Sequence, residues 1–167
     1  MSNVQLSVCL VTYNHVRYIE EAIQSVLAQK LAVDWELIIS DDCSTDGTQD
    51  IVRRYAAQQP QIVRPILRER NLGAFVHVTE LLRAARGEFV AYLDGDDKYT
   101  DASKLQIQME YLRDHPGCAG CFHDLAVVSA NGDTVHESLL AAQGSTFRPI
   151  VQQADLFNAG EITQINT

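Results

Sequence analysis

At 167 residues, 46% hydrophobic and 21% charged, the chain is long enough for one globular domain with its own core, and its composition excludes a disordered polymer. Thirteen basic residues against 22 acidic ones leave a net charge of −9, the wrong sign for neutralising a phosphate backbone, so no nucleic-acid partner is expected. No run approaches the roughly 18 apolar residues of a membrane span, and no basic-then-apolar leader opens the sequence. With four cysteines and no matched ligand pairs, the expected location is a reducing, cytoplasmic one, or peripheral at the inner face of a membrane.

Leu6 to Val11 is a nearly continuous apolar run, as a strand buried on both faces requires. Ile19, Ile23, Val26 and Leu27 then recur at helical spacing. Trp35 to Ser40 reads as a second strand and Asp41 to Gly47 as a turn-rich loop. Asp46 with Gln49 three positions on predicts a capping box for a helix carrying Ile51, Val52, Tyr55 and Ala56 and ending before Pro60. Ile62 to Leu67 is a third strand, in which Pro65 signals an edge position or an irregularity. After the turn Asn71-Leu72-Gly73, a helix is marked by Val78, Leu81, Leu82 and Ala85 and stopped by Gly87. Phe89 to Leu93 is a fourth strand, and Leu105, Met109 and Leu112 mark a helix ended by Pro116. Cys118 to Ser129 reads as a further strand, with Cys118 and Cys121 a buried, reduced pair. Asn131-Gly132 signals a hairpin in which Asp133 to His136 pairs back, and Val151 to Asn158 reads as a short helix.

Alternating strands and helices predict an α/β chain with a Rossmann-like, mostly parallel central sheet flanked by helices. Ligands of such sheets bind beyond the carboxyl ends of the strands. Thr12-Tyr13-Asn14, Asp41-Asp42 and Asp94-Gly95-Asp96-Asp97 each follow such an end. Five carboxylates on one rim would repel one another, and a divalent cation taking hard oxygen ligands relieves the conflict. Asp94 and Asp96, two apart with glycine between, are the candidate ligands, and Gly95 permits close backbone approach. No glycine-rich phosphate loop and no dinucleotide fingerprint is present, and His15, His77, His115, His123 and His136 are scattered.

Val11-Thr12-Tyr13-Asn14, Asp41-Asp42-Cys43-Ser44-Thr45-Asp46-Gly47-Thr48, Asn71-Leu72-Gly73 and Ala85-Arg86-Gly87-Glu88-Phe89-Val90-Ala91-Tyr92-Leu93-Asp94-Gly95-Asp96-Asp97 stand in the order and spacing of one family. Over roughly the first 100 residues the chain resembles the family 2 glycosyltransferases of the GT-A fold. The resemblance implies a nucleoside diphosphate sugar as donor, with a uridine bias, Mn²⁺ or Mg²⁺ as cofactor, and a carbohydrate or lipid-linked acceptor. It places Thr12 and Tyr13 at the base, Asp41 as a hydrogen-bond acceptor for it, and Asp42 beside it. Asp94 falls by the ribose and metal and Asp96 on the metal, while Asp97 either orients the donor sugar or supports the site from behind, Asp96 and Asp97 being the catalytic candidates. Arg70 becomes a diphosphate contact, and Arg68 a weaker one.

Inverting members of this family use a carboxylate base that deprotonates the acceptor hydroxyl. Glu137, Asp155 and Glu161 are the late acidic residues, and none stands in a recognisable form of that motif. The expectation is therefore one GT-A domain over residues 1–167, truncated on its acceptor and base side. Two other chemistries use carboxylates on such a rim. A Mg²⁺-binding phosphoacceptor module would want a lysine at a late strand end, where only Lys98 is near. A nucleotidyltransferase would want a glycine-rich basic segment where Thr12-Tyr13-Asn14-His15 stands.

Overall fold

A computed structural model describes residues 4–129 and 131–138 of the chain. The elements run β1 (Leu6–Thr12), α1 (Ile19–Leu27), β2 (Trp35–Asp41), α2 (Thr48–Gln58), β3 (Val63–Leu67), α3 (Ala74–Ala84), β4 (Phe89–Asp94), α4 (Lys104–Asp114), β5 (Val127–Val128) and β6 (Thr134–His136). The chain divides into two compact units, residues 1–109 and 110–167.

The first unit is built on a four-stranded sheet of order β3-β2-β1-β4, with every pairing parallel. The two central strands are buried almost throughout, because helices cover both faces, and this is why they read as unbroken apolar runs. One face packs Val8, Leu10, Leu37 and Ile39 against Ile19, Ile23 and Val26 of α1 and Val52 of α2. The other packs Cys9 and Ile38 against Leu81 of α3. Burial pushes the Cys9 thiol up to about 11, so it is an inert core group. Pro65 stands in β3, which among the described residues pairs only with β2 and so has one side on which a missing N–H disrupts nothing.

Three local expectations are corrected. Helix α2 begins after Gly47, whose φ is +103°, and Asp46 caps it by accepting from Thr48 N at 3.0 Å and Thr48 Oγ1 at 2.6 Å. Gln49 thus falls in the first turn and turns away to Asp41, so no capping box forms. In the second unit, the stretch read as a strand from Cys118 to Ser129 is extended-ladder only at Val127–Val128, which pairs antiparallel with Thr134–His136 around the Asn131-Gly132 turn. Residues 118–126 join no ladder among the described residues, and Cys118 and Cys121 are half-buried thiols in no disulfide rather than a buried pair. The helix expected at Val151 to Asn158 lies outside the described residues.

The amino end of the sheet is tied by one buried carboxylate. Ser7 and Glu36 are register partners on β1 and β2. Glu36 accepts from Ser7 Oγ at 2.8 Å, from Arg86 Nε at 3.0 Å and Nη2 at 2.6 Å, and from Arg64 Nε at 3.2 Å. Gly87 runs against β1 so closely that a Cβ there would lie 2.5 Å from Ser7 N, a backbone atom with no room to yield. Arg86-Gly87, part of the fourth motif, is therefore structural.

Candidate functional site

Strand register assembles the opposite edge. Thr12 is aligned with Asp41, and Val11 with Asp94, so the carboxyl ends of β2, β1 and β4 deliver their polar residues side by side. The loops that follow are stitched to each other. Asn14, in the left-handed region at φ 57°, donates its N–H to Ser44 Oγ at 2.8 Å, and its side-chain oxygen accepts from Thr45 N at 2.9 Å. Val16 N donates to Asp46 at 2.9 Å. The Asp41–Gly47 loop thereby fixes the backbone that carries Tyr13 and His15.

The five aspartates separate into two kinds. Asp41 and Asp42 are buried. Asp41 accepts from Ser44 N and Oγ and from Gln49 Nε2, at 2.5 to 2.8 Å. Asp42 accepts from Leu72 N at 2.9 Å and Gly73 N at 3.0 Å, which seats the Asn71-Leu72-Gly73 turn at the rim. Hydrogen-bond donors of the protein thus occupy both of these carboxylates.

Asp94, Asp96 and Asp97 sit on a turn closed by Asp97 N to Asp94 O at 3.1 Å and anchored by Gly95 N to Val11 O at 2.8 Å. Asp94 accepts from Tyr92 Oη at 2.7 Å, its neighbour two positions back on the same strand face. Burial first, then the adjacent Asp94, raises the Tyr92 pKa, so the phenol stays a donor. Asp96 and Asp97 are exposed. Among the described residues no lysine or arginine pairs with Asp94 or Asp96, because Lys98 is held by Glu21 at 2.6 Å and Arg68 by Glu80 at 2.7 Å. Two hard oxygen donors without a fixed counter-cation suit a Mg²⁺- or Mn²⁺-type site in which substrate phosphates supply further ligands. Tyr92→Phe deletes only the phenol that orients Asp94, and is expected to weaken Mn²⁺ affinity about 10-fold with an unchanged melting temperature, measured by Mn²⁺ electron paramagnetic resonance.

Between β1, the Asn71–Gly73 turn and the start of α3 lies a cleft of about 330 Å³, lined among others by Thr12, Tyr13, His15, Asp42, His77 and Asp94. Tyr13 leaves 46% of its surface exposed there. Thr12 Oγ1 and His15 Nδ1 are both buried atoms without a hydrogen-bond partner among the described residues. His77 is 2% exposed, and its Nε2 lies 2.7 Å from Ser40 Oγ. Burial first, and then Arg68, outweighs the nearby aspartates and holds its pKa below the ordinary 6.5. The unfolded chain thus takes up a proton that the folded chain refuses. His77 stabilises the fold fully above about pH 6.5, and the contribution is lost as pH falls below that value toward its folded pKa. A His77→Gln variant is expected to show a shallower loss of stability between pH 6.5 and 5, read from urea midpoints at each pH.

Of the expected site residues, Thr12, Tyr13, Asp42 and Asp94 line this cleft, Asp41 is buried, and Asp96 and Asp97 are exposed on the turn that follows Asp94. Arg70 is exposed on the loop before Asn71 and does not line it. Sequence reading overlooked His15 and His77 as cleft residues. The available signal was that His15 directly follows the Thr12-Tyr13-Asn14 motif and that His77 lies one turn into the helix after Gly73.

The sequence pattern described as Glycosyl transferase family 2 matches residues 7–159. The chain belongs to this family. An uncharacterised protein of Mycobacterium tuberculosis is 40% identical over 151 residues, which is 90% of this chain and 41% of that protein. The chain thus spans about two-fifths of the length of that relative. TarS of S. aureus in complex with UDP superposes with a TM-score of 0.61 at 30% identity, over 68% of this chain and 33% of TarS. The mannosyltransferase PcManGT of Pyrobaculum calidifontis, in complex with GDP-Man and Mn²⁺, gives a TM-score of 0.61 at 27% identity, over 68% of this chain and 33% of its own. The parallel sheet flanked by helices is the fold of these GT-A enzymes, as expected. Family membership sets aside the phosphoacceptor and nucleotidyltransferase readings. No helix among the described residues is long and apolar enough to cross a membrane.

Proposed function

We propose that this chain binds a nucleoside diphosphate sugar, with a UDP-sugar favoured, and serves as the donor-binding portion of a single-domain glycosyltransferase that passes the sugar to a carbohydrate or lipid-linked acceptor. The observation that carries this reading is the register of β2, β1 and β4, which lines one cleft with Thr12, Tyr13 and Asp94 and sets Asp96 two residues beyond Asp94. A cleft of about 330 Å³ falls in the range of small-molecule sites.

Each residue then has a task. The exposed ring of Tyr13 offers a face on which a nucleobase stacks. Thr12 Oγ1, lacking another partner, is available to the nucleoside. Asp41 is assigned to the base side through the loop it holds, and Asp42 through the Asn71–Gly73 turn it seats. Asp94, oriented by Tyr92, and Asp96 would hold Mn²⁺ or Mg²⁺, with Asp97 beside the donor sugar. The metal would supply Lewis-acid stabilisation of the departing diphosphate. Arg70, solvent-exposed on its loop, is retained as a diphosphate contact made on donor binding. The carboxylate that activates the acceptor is not assigned: Glu137 is exposed, and Asp155 and Glu161 lie outside the described residues.

The test is a thermal-shift panel of UDP, GDP, dTDP and CDP, each with Mn²⁺. One nucleotide at about 100 times its Kd should stabilise by roughly 2.7 kcal/mol and raise the melting temperature by several degrees. A well-folded chain that responds to none of the four would overturn the reading.

A further inference from the structure

The cleft contains a buried ring nitrogen that no assigned role uses. The backbone of His15 is fixed on both sides: its N–H donates to Thr48 Oγ1 at 3.0 Å, and its carbonyl accepts from Tyr18 N and Ile19 N, each at 2.9 Å. The imidazole is therefore held at the start of α1 and lines the cleft. Its Nδ1 is buried and has no hydrogen-bond partner among the described residues. Asp96 Oδ1 is 3.9 Å away, too far for a hydrogen bond. Gly95 is what gives this atom room, since a Cβ there would come within 2.8 Å of His15 Nδ1 and 2.7 Å of Thr12 Oγ1.

We propose that His15 is a diphosphate-binding residue, its Nδ1–H donating to a phosphate oxygen of the bound nucleotide. The inference rests on the donor-site reading above and deepens it. A separation of 3.9 Å is too long for His15 and Asp96 to satisfy each other. It is short enough for both to address one anion, Asp96 through the cation and His15 directly. Of the basic side chains nearby, Arg68 is held by Glu80 and Lys98 by Glu21, and Arg70, the diphosphate contact assigned above, does not line the cleft in this structure. In a chain of net charge −9, an N–H beside Asp94 and Asp96 is the donor that an incoming diphosphate meets on the β1 side. A buried N–H without a protein partner is costly to leave unmade, and a phosphate oxygen makes it with charge assistance.

The test titrates wild type, His15→Ala, His15→Gln and His15→Asn with UDP, UMP and uridine in Mn²⁺ by calorimetry, with the guanosine series run alongside. Asparagine places an amide N–H as many bonds from Cβ as Nδ1, and glutamine does not. His15→Ala and His15→Gln are expected to bind the diphosphate about 10-fold more weakly while nucleoside affinity and melting temperature stay at wild-type values. His15→Asn should remain within about threefold of wild type. Diphosphate affinity unchanged in His15→Ala overturns the proposal, as does an equal loss for nucleoside and diphosphate, or an asparagine variant as weak as alanine. If wild type binds neither nucleotide series, the donor-site reading fails and takes this inference with it. Wild-type binding with an indifferent His15→Ala sinks the inference alone.

Discussion

Asp96→Ala is expected to weaken binding of the preferred nucleoside diphosphate in Mn²⁺ by about 100-fold, while leaving the affinity for the bare nucleoside unchanged. Asp94 and Asp96 stand at the strand end without a lysine or arginine partner among the described residues, and together they would hold the metal. Removing one leaves a single carboxylate, too little for a hard cation that must also keep the diphosphate. Asp96 is exposed and has no hydrogen bond to lose among the described residues, so the substitution should not lower stability. Asp41→Ala behaves differently if the partition of the aspartates holds. It strips Ser44 and Gln49 of their acceptor, so it lowers the melting temperature and reduces nucleoside and diphosphate binding together. Calorimetry with nucleoside and diphosphate, alongside thermal melts, separates the two patterns.

Glu36→Ala is the largest expected stability effect. The carboxylate is 2% exposed and accepts from Ser7, Arg64 and Arg86, the last both through its guanidinium and through its backbone N–H at 3.1 Å. Breaking a buried pair from one side costs about 3–5 kcal/mol. The guanidiniums here are themselves partly solvated, with Arg86 61% and Arg64 36% exposed, so the loss belongs at the lower end, about 3 kcal/mol. That corresponds to a drop of roughly 6–12 °C in melting temperature for a chain of this size. Nucleotide affinity should be untouched, because Ser7 and Glu36 mark the amino end of strands whose carboxyl ends carry the cleft. A pH series gives the same node a second readout. Burial alone would raise the Glu36 pKa, but the hydrogen bonds from Arg86 and Ser7 outweigh it and the pKa lies below the ordinary 4.5. The contribution is therefore present above about pH 4.5 and lost as pH falls through the folded value, and Glu36→Gln should flatten the acid limb of the stability curve.

The parallel sheet was legible because strands covered on both faces leave contiguous apolar runs, and β1 and β2 do so. The rim was legible for a related reason: polar residues directly after such runs fall on the edge where α/β sheets bind ligands. What the sequence could not show is how similar aspartates divide their work. Asp42 and Asp94 each follow an apolar strand, yet Asp42 is occupied by Leu72 and Gly73, partners roughly 30 positions away in the chain. His15 and His77 looked scattered because neither has a motif of its own. They meet at one cleft only once β1 and α3 are docked on the same sheet. Cys118 to Ser129 is a ladder only at Val127–Val128, since an apolar stretch becomes a strand only where a partner edge exists, and among the described residues that edge meets two of its residues.

The most direct measurement is a calorimetric titration of the wild-type chain with UDP and GDP, in Mn²⁺ and again with the metal removed by EDTA. The expected result is saturable one-to-one binding of one nucleotide that is at least 10-fold tighter with Mn²⁺. Equal affinity with and without the metal, or no binding of either nucleotide by folded protein, would contradict the assignment of Asp94 and Asp96 as the metal-holding edge of a nucleotide-sugar site.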